Sequence, residues 1–119
     1  MTQTLDIDEF KHGETIEFTV AAKNRDGSVI ITPGSQTLTF WIGTSPGGDF
    51  SVKFNAPPEV VLSDAGNAIW LVSIPISAYG PYLVEGRSYY YDITTQLGSD
   101  DPILQKKGRL RLGPAINWT

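Results

Sequence analysis

The chain has 119 residues, no cysteine, a single histidine, nine basic and thirteen acidic residues, and a net charge of −4. That length fits one domain, residues 1–119, large enough to bury roughly two-thirds of its unfolded surface without staples. Without cysteine there is no disulfide framework and no thiolate metal site, His12 alone completes no zinc ligand set, and an acidic balance argues against a nucleic-acid surface.

Apolar residues recur with period two along the chain, and turn residues punctuate them at short intervals. Leu5 to Phe10 opens as a short strand, His12-Gly13 turns, and Glu14 to Lys23 alternates Ile16, Phe18, Val20 and Ala22 against Thr15, Glu17 and Thr19. That is one buried and one wet face. Asp26-Gly27 ends the segment with a turn pair. A brief apolar segment, Val29 to Ile31, precedes Pro33-Gly34. Gln36 to Gly43 then points Leu38, Phe40 and Ile42 one way and Thr37, Thr39 and Trp41 the other. After the Ser45 to Gly48 loop, Phe50, Val52 and Phe54 face inward, Pro57-Pro58 breaks pairing, Glu59 to Leu62 forms a strand and Asp64 to Asn67 a turn.

Ala68 to Ile76 is apolar on both sides, which places it centrally or under a loop or partner. Arg87 to Thr95 sets Tyr89, Tyr91 and Ile93 against Tyr90, Asp92 and Thr94. Ile103 to Gln105 and Gly108 to Leu112 close the chain, with Leu110 and Leu112 inward and Arg109 and Arg111 outward. No stretch of a dozen residues has helical periodicity. Seven to eight short antiparallel strands with these turns predict an all-β sandwich.

Chemistry finds no device. A nucleophile needs a base beside it, and His12 in a turn is the sole imidazole. Asp6 and Asp8 share one side of a strand and Asp100-Asp101 sits in a loop, so neither pair faces across a cleft. Asp49, Asp64, Asp100 and Asp101 lack the regular spacing of a calcium loop. Pro46-Gly47-Gly48 has no helix after it to bind phosphate. The expectation is a non-enzyme with no cofactor and no metal. Apolar runs such as Ala68 to Val72 are too short to span a bilayer, and Met1 to Phe10 has acids where a secretory leader has a basic start, so no membrane role is expected.

Charge and aromatics are the remaining signals. Asp6, Asp8, Glu9, Glu14 and Glu17 crowd the start, while Lys106, Lys107, Arg109 and Arg111 crowd the end. Two solvated edge strands, lying as neighbours, account for this, since edge charge discourages aggregation. Three Trp, five Tyr and five Phe supply the core through Phe18, Phe40, Tyr89 and Tyr91. Trp41, Tyr90, Tyr79, Tyr82 and Trp118 fall outside it, and fit either a protein interface or a sugar-stacking platform.

Leu83-Val84-Glu85-Gly86-Arg87-Ser88-Tyr89, followed by Tyr91 and Ile93, resembles the segment before the sixth strand of fibronectin type III and immunoglobulin-like domains. The resemblance implies a structural tyrosine corner at Tyr89, whose hydroxyl bonds upstream backbone. Glu85 stands where the family has proline, and no cysteine pair bridges the sheets. Over residues 4–117 the order of features resembles small immunoglobulin-like domains of tailed-bacteriophage structural proteins, such as baseplate upper proteins and neighbouring tail or neck components. The features are Phe10-Lys11-His12-Gly13-Glu14-Thr15, Asp26-Gly27, Gly86 to Ile93, and Lys107 to Leu112.

This resemblance implies a virion structural protein in a tail, baseplate, neck, fibre-attachment or capsid-decoration position. It would be assembled in multiple copies with other virion proteins in the host bacterial cytoplasm. Trp41, Tyr90 and Trp118 are then the candidate partner contacts. The alternative is a carbohydrate-binding or adhesive module.

Overall fold

The computed structural model describes residues 3–4, 7–11, 15–44, 52–84 and 86–113, with side chains described from residue 15 to residue 111. Among these residues the chain forms two mostly antiparallel sheets that share one core, an all-β, sandwich-like arrangement. The larger sheet contains β1 (Gln3–Thr4), β2 (Ile7–Lys11), β4 (Gln36–Gly43), β5 (Val52–Phe54), β8 (Ser88–Leu97) and β9 (Ile103–Gly113). Its order is β1-β9-β8-β4-β5, with β2 also on β9. The smaller sheet is β3 (Ile16–Ala21), β7 (Ile69–Ile74) and β6 (Val60–Asp64), in the order β3-β7-β6.

Period-two patterning explains why these segments pair as they do. On β3 and β7, Ile16, Val20, Trp70, Val72 and Ile74 are buried while Glu17, Thr19 and Ala21 are exposed. On β4 and β8, Leu38, Phe40, Ile42, Tyr89, Tyr91 and Ile93 face the same interior. Phe18 meets Phe40 edge-on at 5.2 Å between ring centroids, and Phe40 meets Tyr91 at 5.6 Å. This aromatic chain ties the two sheets together, each edge-to-face pair adding about 0.5–1.5 kcal/mol beyond the area it buries.

The closing strand differs from the sequence expectation. It runs unbroken from Ile103 to Gly113, with a bulge opposite Ile93 and Thr94. It is also interior, since β8 lies antiparallel on one side while β1 and β2 lie parallel on the other. The two charged segments are therefore neighbours, but only the opening one is an edge. The strand set is correspondingly not all antiparallel, and it consists of nine segments among the described residues.

The bulge has a use. It aims Gln105 into the interior, where the amide ties β9 to the chain just past the end of β3. The Lys23 backbone N–H donates to Gln105 Oε1 at 2.9 Å, and Gln105 Nε2 donates to the Lys23 carbonyl at 2.7 Å and to Thr95 Oγ1 at 2.9 Å. A side chain thus reproduces the paired bonds of a strand partner, satisfying buried polar groups that would otherwise be costly.

The brief apolar segment Val29 to Ile31 forms no strand: Val29 makes an isolated bridge to Lys23, and Ile31 is 91% exposed. One other strand departs from expectation. The strand expected to reach Ile76 stops at Ile74, and after Pro75 the chain takes one helical turn, α1 (Ile76–Tyr79). Proline at the cap sets this turn, because its missing N–H is no loss there. The turn swings Tyr79 into the core, fully buried, and its carbonyl accepts bonds from the N–H groups of Tyr82 and Leu83 at 2.9 Å each. The expectation that Tyr79 is an outer aromatic is overturned: helical geometry, not strand parity, decides its direction.

Candidate contact face

Register fixes what the outer side of the larger sheet presents. Trp41 on β4 pairs with Lys53 on β5 and with Asp92 on β8, and Asp92 pairs in turn with Lys107 on β9. Lys53, Trp41, Asp92 and Lys107 therefore form one straight row across four strands. The adjacent row holds Gly43, Tyr90 and Arg109, and Ser88 with Arg111 lies beyond it. Trp41 and Tyr90 are half-buried, whereas Lys53, Lys107, Arg109 and Arg111 are exposed.

Each member of the central row is held by its neighbours. Trp41 Nε1 donates to Thr94 Oγ1 at 3.0 Å, which fixes the indole against the sheet. The Lys53 ammonium stands over the ring, 5.5 Å from its centroid, a cation–π distance. Burial raises the Asp92 carboxyl above the ordinary aspartate range, and Lys107 beside it partly offsets the rise. The described part of the face is thus a fixed indole and the neighbouring Tyr90 ring framed by cations, with the Asp92 carboxylate between them.

Sequence parity finds Trp41, Tyr90, Asp92, Arg109 and Arg111 on outward positions. It does not find that Lys53, Trp41, Asp92 and Lys107 share a row, because strands distant in sequence set that register. The signal that was available is the alternation of Arg109 and Arg111 with Leu110.

Tyr89, the neighbour of Tyr90, points the other way. Its ring is 4% exposed and its hydroxyl accepts a 2.7 Å bond from the Val84 backbone N–H. Gly86, with φ of +77°, makes the intervening turn in a conformation that favours glycine. The bond ties the start of β8 to the segment that follows α1.

The other sequence candidates do not gather into a site. Trp118, His12 and Asp49 lie outside the described residues. Tyr82 is 61% exposed, beside a groove of about 510 Å³ that Val52, Phe54 and Pro81 also line. Asp64 caps a 3₁₀ turn, accepting from the N–H and the side-chain amide of Asn67, and those bonds hold its carboxyl below the usual range. Asp26 accepts from the hydroxyl and the N–H of Ser28, and its carboxyl is lowered for the same reason. Asp100 and Asp101 are both exposed, between β8 and β9. Among the described residues no group of three His, Cys, Asp or Glu side chains is placed to hold a metal ion, and no helix is long and apolar enough to cross a membrane.

With this geometry in place, comparison with known proteins adds no family assignment: no protein-family model matches the chain, and no curated protein matches it.

Proposed function

We propose that the chain is an immunoglobulin-like module that acts by protein–protein contact, as a structural component of a tailed-bacteriophage particle, and performs no chemistry of its own. Strand order supports the immunoglobulin-like reading. A three-stranded β3-β7-β6 sheet facing β9-β8-β4-β5 corresponds to the B, E, D strands of that fold facing G, F, C and C′. The Tyr89 hydroxyl bond to upstream backbone supports it too, being what a tyrosine corner requires. The place in a phage particle rests on the order of sequence features from Phe10 to Leu112, and a fold alone does not supply it.

The observation that carries the contact reading is the row Lys53, Trp41, Asp92 and Lys107. Aromatic and basic side chains held in place before binding lose little entropy when a partner arrives, which is the character of an interface anchor. The sugar-platform alternative is less well served. Lys53 stands over the Trp41 ring, where a pyranose would have to stack, and Trp41 Nε1 is already bonded to Thr94.

Mass spectrometry of purified particles, with copy number per particle, tests the reading directly. The chain is expected in every particle, and Trp41→Ala with Tyr90→Ala should abolish incorporation while the domain still melts cooperatively. Particles that lack the chain would refute the assignment. Glycan-array binding lost with Trp41→Ala would favour the sugar module instead.

A further inference from the structure

β5 ends the larger sheet, paired with β4 on one side. Along its other side runs the groove of about 510 Å³, lined by all of its residues, Val52, Lys53 and Phe54, and by Ala78, Pro81 and Tyr82. The turn at α1 builds that second wall: it buries Tyr79 and leaves Pro81 and Tyr82 exposed. Among the described residues nothing bonds the backbone groups on this side of β5. A strand edge in that condition is a template for another strand.

Register decides what an added strand must carry. Val52 and Phe54 pair with Ile42 and Phe40 on the inward side, while Lys53 pairs with Trp41 on the outer side. A strand laid antiparallel along β5 therefore turns two side chains toward the groove. There Phe54 is 9% exposed, and Val52 and Ala78 pack against the core. Apolar side chains fit those two positions, with the exposed Tyr82 ring beside them. The residue between them stands opposite Lys53, where an opposite charge stabilises the pair and a like charge destabilises it. The carboxylate of the groove, Glu59, lies before β6 and outside this register, so Lys53 sets the charge required opposite β5.

We propose that β5 accepts an extended segment of a partner protein as an added strand, with an acidic residue opposite Lys53 and an apolar residue on each side of it. The proposal rests on the contact reading above and names the kind of segment the partner supplies. Backbone bonds to the edge give affinity, and the alternate side chains give selectivity. Lys53 belongs both to this edge and to the row that holds Trp41, so the added strand continues the contact face. A second copy of this chain is a poorer occupant. Two β5 edges paired antiparallel in full overlap set Lys53 opposite Lys53, a like-charge pair. The charge that discourages self-pairing is the one that selects an acid.

Amide shifts of the isotope-labelled full chain, titrated with capped heptapeptides, test the proposal. The probe has valine, glutamate and valine at its centre and threonine elsewhere. It should shift the amides of residues 52–54 and slow their hydrogen exchange, saturating with a Kd of about 1 mM or tighter. Lysine in place of the central glutamate should weaken binding about fivefold. Lys53→Glu should reverse that preference, and Tyr82→Ser should weaken both peptides. Lys53 and Tyr82 are exposed, and cooperative melting checks that each variant folds. The glutamate peptide N-methylated through its centre should not bind, because it offers the edge no N–H.

A wild-type chain that responds to no peptide up to about 5 mM, or that binds all three alike, overturns the proposal. Shifts at residues 52–54 that grow with protein concentration alone would place a second copy on the edge and overturn it too. If no peptide binds yet Trp41→Ala with Tyr90→Ala still abolishes incorporation into particles, strand addition alone has failed. If incorporation is indifferent as well, the contact reading has failed with it.

Discussion

Replacing Tyr89 by Phe removes one oxygen and leaves the ring in place. The ring is 4% exposed and stays packed, so the cost is that of the 2.7 Å bond from the Val84 N–H. A net hydrogen bond contributes about 1 kcal/mol, and stranding the donor away from water raises the loss toward about 3 kcal/mol. Val84 is 52% exposed, so water reaches part of the site and the lower half of that range applies, about 1.5 kcal/mol. An unfolding entropy near 2.1 cal/mol/K per residue gives about 250 cal/mol/K for this chain, so Tm should fall by about 6 °C. Calorimetry reads the shift, and urea titration should show a lower midpoint at unchanged slope. A Tm within a degree of wild type would show that the bond does not stabilise the fold.

Gln105→Glu keeps an acceptor for the Lys23 N–H but leaves the Lys23 carbonyl without its donor and facing a buried carboxylate. The variant should be destabilised by about 2–4 kcal/mol at neutral pH. Burial raises the folded-state pKa of such a carboxyl, so its urea midpoint should recover as pH falls toward 4 and decline again as pH rises. The Asp92 carboxyl is raised by burial in the folded protein, so its ionisation opposes folding. Wild type should therefore gain stability relative to Asp92→Asn as pH falls through the raised range, and the difference should level off below about pH 3.9, the ordinary aspartate value. Paired melts across pH that show the opposite slope would contradict the burial argument. At Gly80 an added Cβ would lie 2.6 Å from the Ile76 carbonyl oxygen, which already accepts the Gly80 N–H at 2.7 Å. Gly80→Ala should cost about 1–3 kcal/mol in thermal melts, since backbone has to move.

Strand positions were legible wherever apolar residues recur at every second position, even where, as at Thr39, the polar member is buried too. Ile16 to Ala22, Leu38 to Ile42 and Tyr89 to Ile93 alternate, and the sheets bury the apolar member of each step. The turn at Asp26-Gly27 was legible because its chemistry is local: the carboxylate accepts from Ser28 and Gly27 has a φ of +88°. What escaped depends on partners far along the chain. Nothing near Gln105 shows that its amide will stand in for a strand opposite Lys23. Nothing in an alternating closing segment shows that the opening strands will pair with it in parallel. Tyr79 was misplaced because α1 is too short to leave a periodicity, and its only local sign is Pro75 before it with Gly80 after it. On the candidate face, parity indicated which side Trp41 and Tyr90 take, but the cations and the carboxylate that share their rows come from register.

The parallel seating of the first strands has a mechanical consequence. Gln3 lies level with Lys106, and Lys11 with Gly113, so a force drawing residue 3 away from residue 113 slides β1 and β2 lengthwise along β9. Shear of that kind strains every bond of the seam together, whereas an antiparallel seam pulled from adjacent ends opens one bond at a time. A module tethered through both ends would therefore resist stretching at the strands where its sequence begins and closes.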